Sequence, residues 1–136
     1  MQFVLDASAL LRLFLEDGPV PESLTGVMDL VETGEASFVV PELFWAETAH
    51  VLHRRQKQGL LASTELPRLW DDLSGLPARS LGHQPFMPSA LKLASRYNLS
   101  VYDALYLAIA VGGEIPLLTV DDQLSKAACR LGVLVE

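Results

Sequence analysis

The chain has 136 residues, of which 50% are hydrophobic, and it carries 17 acidic against 10 basic side chains for a net charge of −7. This length and composition predict one globular domain over residues 1–136, large enough to bury roughly two-thirds of its unfolded surface. The negative charge excludes a protein that binds nucleic acid over its whole surface, so any contact with phosphates must be local.

Short runs rich in β-branched and aromatic residues alternate with stretches of helical periodicity along the whole chain. In chain order, the first half is predicted to form a strand at 3–5, a helix at 8–15 ending before Asp17-Gly18-Pro19, a helix at 22–33, a strand at 37–40 and a helix at 42–58. The second half is predicted to form helices at 64–73, 88–97, 101–111 (ending at Gly112-Gly113) and 123–131, and strands at 79–81, 117–120 and 133–135. This alternation predicts an α/β fold with a mostly parallel sheet and helices on both faces.

Four carboxylates lie inside or directly against apolar segments, where core side chains are expected. They are Asp6, Glu47, Asp103 and Asp121. An isolated buried carboxylate costs several kcal/mol unless it is paired, protonated or bound to a cation. Asp6 and Asp121 also follow predicted strands, and in parallel sheets ligands bind beyond the carboxyl ends of the strands. The sequence therefore predicts a divalent metal site.

Each of these acids has a structural alternative. Ser100 and Asp103 fit a capping box at the start of a helix, Asp121 precedes another helix, and Asp6 could cap the first one. Glu47 lies in the middle of a predicted helix, on an otherwise apolar face, so capping does not explain it. The structural alternative for Glu47 is that its carboxylate forms an ion pair with a buried basic side chain.

Four segments of the chain resemble, in order, the four motifs of PIN-domain ribonucleases: VLDASAL at 4–10, PELFWAE at 41–47, YDALYLA at 102–108 and LTVDDQL at 118–124. The similarity extends over essentially the whole chain and is strongest to the VapC-type toxins of toxin–antitoxin pairs. It implies a three-layer α/β/α fold and metal-dependent cleavage of RNA.

By the same resemblance, Asp6, Glu47, Asp103 and Asp121 match the acidic quartet that binds Mg²⁺ or Mn²⁺. These hard cations prefer oxygen ligands, and one or two ions would fit such a site. The resemblance further implies that Ser8 and Thr119 support the site through their hydroxyl groups.

Two other residues are candidates on their position alone. Asp122 is adjacent to Asp121 and could assist it, although neighbouring side chains at a helix start point in different directions. Arg12 follows Ser8 by one helical turn and could reach a substrate phosphate. The basic run at 53–57 ends a long helix, where cations complement the helix dipole, and we interpret it in that way rather than as an RNA contact.

The function expected from this resemblance is that of an endoribonuclease toxin held inactive by a cognate antitoxin, with RNA as substrate and a homodimer as the assembly. We expect the antitoxin to cover apolar surface near Leu13, Phe14 and Trp45 and to place an Arg or Lys beside the acids. Two alternatives stay open: an RNA-processing or structure-specific nuclease without an antitoxin, and an inactive metal-binding interaction module.

The remaining features restrict the class of protein. Apolar runs are too short to span a bilayer, and the N-terminal residues do not read as a signal peptide, so a cytoplasmic protein without membrane contact is expected. Cys129 is the single cysteine, which excludes an intrachain disulfide and a thiolate metal cluster.

Overall fold

The computed structural model describes residues 1–15 and 18–135. The strands are β1 (Gln2–Leu5), β2 (Ser37–Pro41), β3 (Ala78–Leu81) and β4 (Leu117–Leu118). The helices are α1 (Ala7–Phe14), α2 (Glu22–Glu32), α3 (Leu43–Lys57), α4 (Leu66–Ser74), α5 (Met87–Tyr97), α6 (Val101–Gly113) and α7 (Asp122–Arg130), with a short 3₁₀ helix at Gln84–Phe86 before α5.

The four strands form one parallel sheet in the order β3-β2-β1-β4. Val4 of β1 is in register with Val39 of β2 on one side and Leu117 of β4 on the other. The backbone N–H of Asp6 donates to the carbonyl of Leu118 at 3.0 Å. The chain therefore leaves β1 and β4 at the same edge of the sheet, which is where the candidate acids follow.

Helix α6 is the centre of the core. Every residue from 104 to 110 is buried, so this helix is apolar on all sides and packs against β1, β2 and β4 as well as α5 and α7. Together with α1 and α3 it encloses the sheet in a three-layer α/β/α arrangement, which confirms the predicted fold class. No helix in the described ranges is long and apolar enough to cross a membrane.

Two predicted strands are shorter in the structure. The strand predicted at 117–120 ends at Leu118, because the next two residues turn away from the sheet and the N–H of Val120 donates to the hydroxyl of Ser8 at 3.3 Å. The strand predicted at 133–135 was wrong: it is reduced to a single parallel bridge between Leu117 and Leu134. Because β4 has only two residues, its edge is too short to pair with a longer strand at 133–135.

The glycine signal at the end of α6 was also misread. Gly112 and Gly113 lie at the end of the helix rather than after it, and Glu114 takes the left-handed conformation, with φ at 53°, that ends it. The N–H of Ile115 then donates to the carbonyl of Ala110 at 2.9 Å, which satisfies one of the last helical carbonyls. The predicted stop signal at Asp17 lies outside the described residues, and α1 ends at Phe14.

Candidate active site

All four candidate acids line one cavity of about 370 Å³. Asp6 reaches it from the end of β1, Glu47 from the middle of α3, Asp103 from the first turn of α6 and Asp121 from the residue before α7. The fold thus brings together carboxylates that are far apart in sequence.

The carboxylate of Asp6 is fixed by two hydroxyl groups and not by backbone N–H groups of α1. Ser8 Oγ donates to Asp6 Oδ2 at 2.6 Å, and Thr119 Oγ1 donates to the same oxygen at 2.7 Å. Although Asp6 occupies the N-cap position of α1, its side chain makes no capping hydrogen bond, so the capping interpretation was wrong for this residue. Its Oδ1 accepts no hydrogen bond from the described residues, which leaves this oxygen available to a ligand.

Thr119 connects Asp6 to Asp121 through hydrogen bonds. Its Oγ1 also accepts a hydrogen bond from the N–H of Asp121 at 3.1 Å. Asp121 in turn caps α7, because its Oδ2 accepts from the N–H of Leu124 at 2.9 Å. The capping prediction for Asp121 is confirmed, and the same side chain still lines the cavity. Capping and a place in the cavity are therefore compatible.

Asp103 combines the same two properties. The N–H of Asp103 donates to Ser100 Oγ at 3.0 Å, which confirms Ser100 as the N-cap of α6. A first-turn carboxylate also lies at the positive end of the helix dipole. The half-buried side chain of Asp103 nevertheless faces the shared cavity, so helix geometry accounts for its position without excluding a role in the site.

Glu47 is held by a tyrosine and not by a base. Tyr106 Oη donates to Glu47 Oε1 at 2.7 Å, across the boundary between α6 and α3. The alternative of a pair with a buried base was therefore wrong for the described residues, none of which forms an ion pair with Glu47. Because Tyr106 is fully buried, the hydrogen bond also fixes the direction of the Glu47 side chain.

The pKa values of three of the acids are raised. Burial is the largest cause for Asp6, whose pKa rises to about 6; hydrogen bonds from Ser8 and Thr119 oppose the shift, and the charges of Asp103 and Glu47 add to it. Burial likewise raises the pKa of Glu47 and of Asp103, with further increases from Asp103 and Asp121 respectively. The acids thus repel one another in a partly buried cluster, an arrangement that a bound cation relieves.

The donor set fits a hard divalent cation. The oxygens available are carboxylates, and Glu47 Oε2 and Asp121 Oδ1 are left without hydrogen bonds from the described residues, as is Asp6 Oδ1. Within the same residues no three His, Cys, Asp or Glu side chains already lie close enough to hold a metal by themselves. Because Mg²⁺ usually keeps several waters and takes only one or two direct carboxylate ligands, the lack of a three-ligand group among these residues does not exclude it.

Four basic or imidazole side chains line the cavity beside the acids. They are Arg12, His50, Arg54 and Arg55. His50 and Arg54 follow Glu47 by three and seven residues, which places all of them on one face of α3. Arg54 and Arg55 lie in the last turn of α3, as the interpretation of the basic run as a partner of the helix dipole requires. Their position at the cavity was not predicted.

The supporting candidates differ in where the structure places them. Ser8 and Arg12 line the cavity, and Thr119 contacts Asp6 directly. The guanidinium of Arg12 also donates to the carbonyl of Pro19 at 3.1 Å. Asp122 is exposed at the first position of α7 and does not line the cavity, so the structure does not bring it to the other acids.

Comparison with known proteins identifies the family. The family model described as PIN domain matches residues 3–129. The chain belongs to the PIN-domain family. It is 32% identical to ribonuclease VapC3 of Pyrobaculum aerophilum over 132 residues, which cover 93% of this chain and 94% of that protein. The resemblance drawn from the four sequence motifs is therefore confirmed.

Solved structures confirm the PIN fold. A crystal structure of a Pyrobaculum aerophilum protein superposes with a TM-score of 0.71 at 18% identity, covering 97% of this chain and 96% of that one. A toxin–antitoxin complex from Klebsiella pneumoniae gives a TM-score of 0.63, also at 18% identity, covering 98% of this chain and 96% of that one. At this level of identity the likeness concerns the fold alone.

Tyr106 contacts a candidate acid but was not among the predicted site residues. Tyr106 lies in the apolar run of α6, one turn after Asp103, and this pattern predicts a core side chain. A fully buried tyrosine needs a partner for its hydroxyl group, and that requirement was the available signal. The sequence could not identify the partner, because Glu47 is 59 residues away.

We expect Tyr106→Phe to raise the pKa of Glu47 further, because the hydrogen bond from Tyr106 lowers it and burial of the carboxylate is unchanged. Loss of the bond should also cost about 1 kcal/mol of the free energy of unfolding, since a half-buried carboxylate loses a hydrogen-bond donor. NMR titration of the carboxyl carbons and thermal melts measure the two effects. Tyr102→Phe, at an exposed position of the same helix, is the matched control and should change neither.

Proposed function

We propose that this PIN domain is a metal-dependent endoribonuclease that acts as a toxin and is neutralised by a cognate antitoxin. The observation that carries the proposal is the convergence of Asp6, Glu47, Asp103 and Asp121 on one cavity in which burial and mutual repulsion raise the pKa of three of them. The name of the VapC3 relative, a ribonuclease, supports RNA as the substrate class.

The four acids would hold one or two Mg²⁺ or Mn²⁺ ions. When bound, such an ion neutralises charge that develops on the phosphate and lowers the pKa of a nearby water. The chain's own contribution is to fix the carboxylates: Ser8 and Thr119 orient Asp6, and Tyr106 orients Glu47. Each of these hydrogen bonds occupies one oxygen of its carboxylate and leaves the other to the ligand.

The cations beside the acids would bind the RNA backbone. Arg54 continues the face of α3 that carries Glu47, so a phosphate held by the acids through metal would lie beside its positive charge. This arrangement agrees with the local phosphate contact that the net charge of −7 requires. The contacts carry no base specificity, because phosphates are the same in every sequence.

The partner proposal concerns the surface near the end of α1. Phe14 and Leu15 line a cavity of about 360 Å³ with Leu61, Leu69 and three charged side chains, those of Glu65, Arg68 and Asp72. A flexible segment of the antitoxin would cover the apolar part of this surface and bring an Arg or Lys to the acids, in competition with metal. Trp45 is less available than expected, because its indole N–H donates to Ser80 Oγ at 2.8 Å and its ring packs on Trp70. The homodimer, the cytoplasmic location and the single domain over residues 1–136 stay predictions.

Expression in a bacterial host tests the proposal. The wild-type chain alone should arrest growth and reduce intact RNA, because an unrestrained ribonuclease destroys transcripts. The Asp6→Asn chain should do neither, and co-expression of the antitoxin should restore growth of cells that carry the wild type. Antitoxin candidates are the genes adjacent to the one that encodes this chain.

Expression levels of the wild type and of Asp6→Asn must be matched by immunoblot. Harmless expression of a wild-type chain that cleaves RNA when purified would contradict the toxin assignment and favour an RNA-processing nuclease without an antitoxin. A purified wild type that cleaves no RNA in Mn²⁺ would favour the inactive interaction module.

A further inference from the structure

A second polar cavity, of about 350 Å³, lies between the end of α5 and the outer face of α7. Its polar lining consists of Arg96, Asn98, Gln123, Lys126 and Arg130. Three of the chain's 10 lysine and arginine side chains therefore meet at one concave surface. None of the described carboxylates lines it.

The three cations are not held in ion pairs by the described fold, although Arg96 and Arg130 lie in the last turns of α5 and α7, where they complement the helix dipole. All three side chains are exposed, and among the residues that the structure describes no carboxylate forms an ion pair with them. The guanidinium of Arg96 lies over the ring of Tyr97, 5.5 Å from its centroid, which orients the group without neutralising it. In a chain of net charge −7, such a concentration of uncompensated positive charge is suited to an anionic ligand.

Two short stretches of chain lead from residues of the basic cavity to residues of the acid cavity. On α7, Gln123, Lys126 and Arg130 share one face of the helix that Asp121 caps. At 1.5 Å per residue, Lys126 and Arg130 lie about 8 Å and about 14 Å along the axis from that acid. On the other side, the chain runs from Asn98 to Asp103 at the start of α6.

We propose that the basic cavity, formed by Arg96, Lys126 and Arg130, binds backbone phosphates of the RNA strand that flank the phosphate held at the acids. This inference rests on the proposed ribonuclease function and extends its substrate contact. A polynucleotide carries a phosphate at every residue, so one strand can occupy both cavities at once. The amides of Asn98 and Gln123 add hydrogen-bonding groups for phosphate or sugar oxygens.

The test compares two random-sequence RNA pools, one of about 2 and one of about 16 nucleotides, with the double variant Lys126→Gln/Arg130→Gln. For the long pool, we expect kcat/KM in Mn²⁺ to fall about tenfold at low salt, with a salt dependence that is shallower by about 0.7 per lost contact. Cleavage of the short pool should stay within about twofold of the wild type, because it does not reach the second cavity.

Lys92→Gln/Arg79→Gln is the matched control, since it removes the same charge from exposed positions on α5 and β3 that lie outside the basic cavity, and it should cleave both pools as the wild type does. Wild-type cleavage of the long pool by Lys126→Gln/Arg130→Gln, or equal loss on both pools, would overturn the proposal. If Lys126→Gln/Arg130→Gln kept the RNA affinity of the wild type but lost binding of an acidic protein segment, that result would also overturn the proposal.

Fluorescence anisotropy of the labelled long pool gives a second readout that does not need cleavage. Weaker binding by Lys126→Gln/Arg130→Gln, in a protein whose wild type cuts nothing, would support the phosphate site and reject the ribonuclease proposal. Equal binding by the wild type and the variant would reject the site whatever the outcome for cleavage.

Discussion

Asp6→Asn is expected to abolish RNA cleavage and, at the same time, to stabilise the metal-free protein. Asn has the shape of Asp and can keep the hydrogen bonds from Ser8 and Thr119, but it carries no charge to hold a cation. We expect cleavage to fall roughly a hundredfold or more. Glu47→Gln, Asp103→Asn and Asp121→Asn should lose cleavage in the same way, each with its fold intact.

The stability gain follows from the raised pKa of Asp6. Its folded value of about 6 lies above the ordinary 3.8, so the contribution of Asp6 to stability is present at low pH and is lost as pH rises through about 6. A difference of about two pKa units corresponds to roughly 3 kcal/mol near neutral pH. In EDTA, Asp6→Asn should therefore unfold at a higher temperature than the wild type near neutral pH, and the difference should nearly vanish around pH 4.

Asp122→Asn is the matched control, because it makes the same chemical change one residue from Asp121 but outside the cavity. It should retain cleavage and show no stabilisation of this size. Full activity of Asp6→Asn, or a melting temperature below that of the wild type, would show that Asp6 is not an uncompensated acid at a metal site.

Metal affinity should fall on acidification. Asp6 must lose its proton to hold a cation, and its pKa of about 6 places that loss within the accessible pH range. If one proton is displaced, Mn²⁺ affinity should be about tenfold lower at about pH 5 than at about pH 8. Calorimetry in buffers of different ionisation enthalpy measures both the affinity and the protons released. An affinity that does not change between these pH values would exclude displacement of a proton from Asp6.

The sequence predicted the fold and the convergence of the four candidate acids because both depend on local patterns. Each acid interrupts or follows an apolar segment, and the parallel sheet places the ends of β1 and β4 at one edge. The capping alternatives could not be decided in the same way, since Asp6 and Asp121 both precede helices. They differ in tertiary contacts: Thr119 donates to Asp6, whereas Asp121 accepts from Leu124 in its own helix.

Features that join distant segments could not be predicted. The partner of Tyr106, the cavity-facing side of Arg54 and the meeting of Arg96 with Lys126 all depend on how helices pack. The short β4 had a different origin. Thr119 and Val120 have the β-branched side chains of a strand, but their hydrogen bonds go to side chains of the acid site. There, tertiary contacts override the local preference.

The central claim is that the four converging acids form a metal-dependent ribonuclease site, and one measurement tests it most directly. Purified wild-type chain is incubated with total RNA across a titration of Mn²⁺, with EDTA reversal and with Glu47→Gln alongside. We predict cleavage that rises with Mn²⁺, stops in EDTA and is absent from Glu47→Gln at every metal concentration. Cleavage that persists in EDTA, or equal cleavage by Glu47→Gln, would contradict this account.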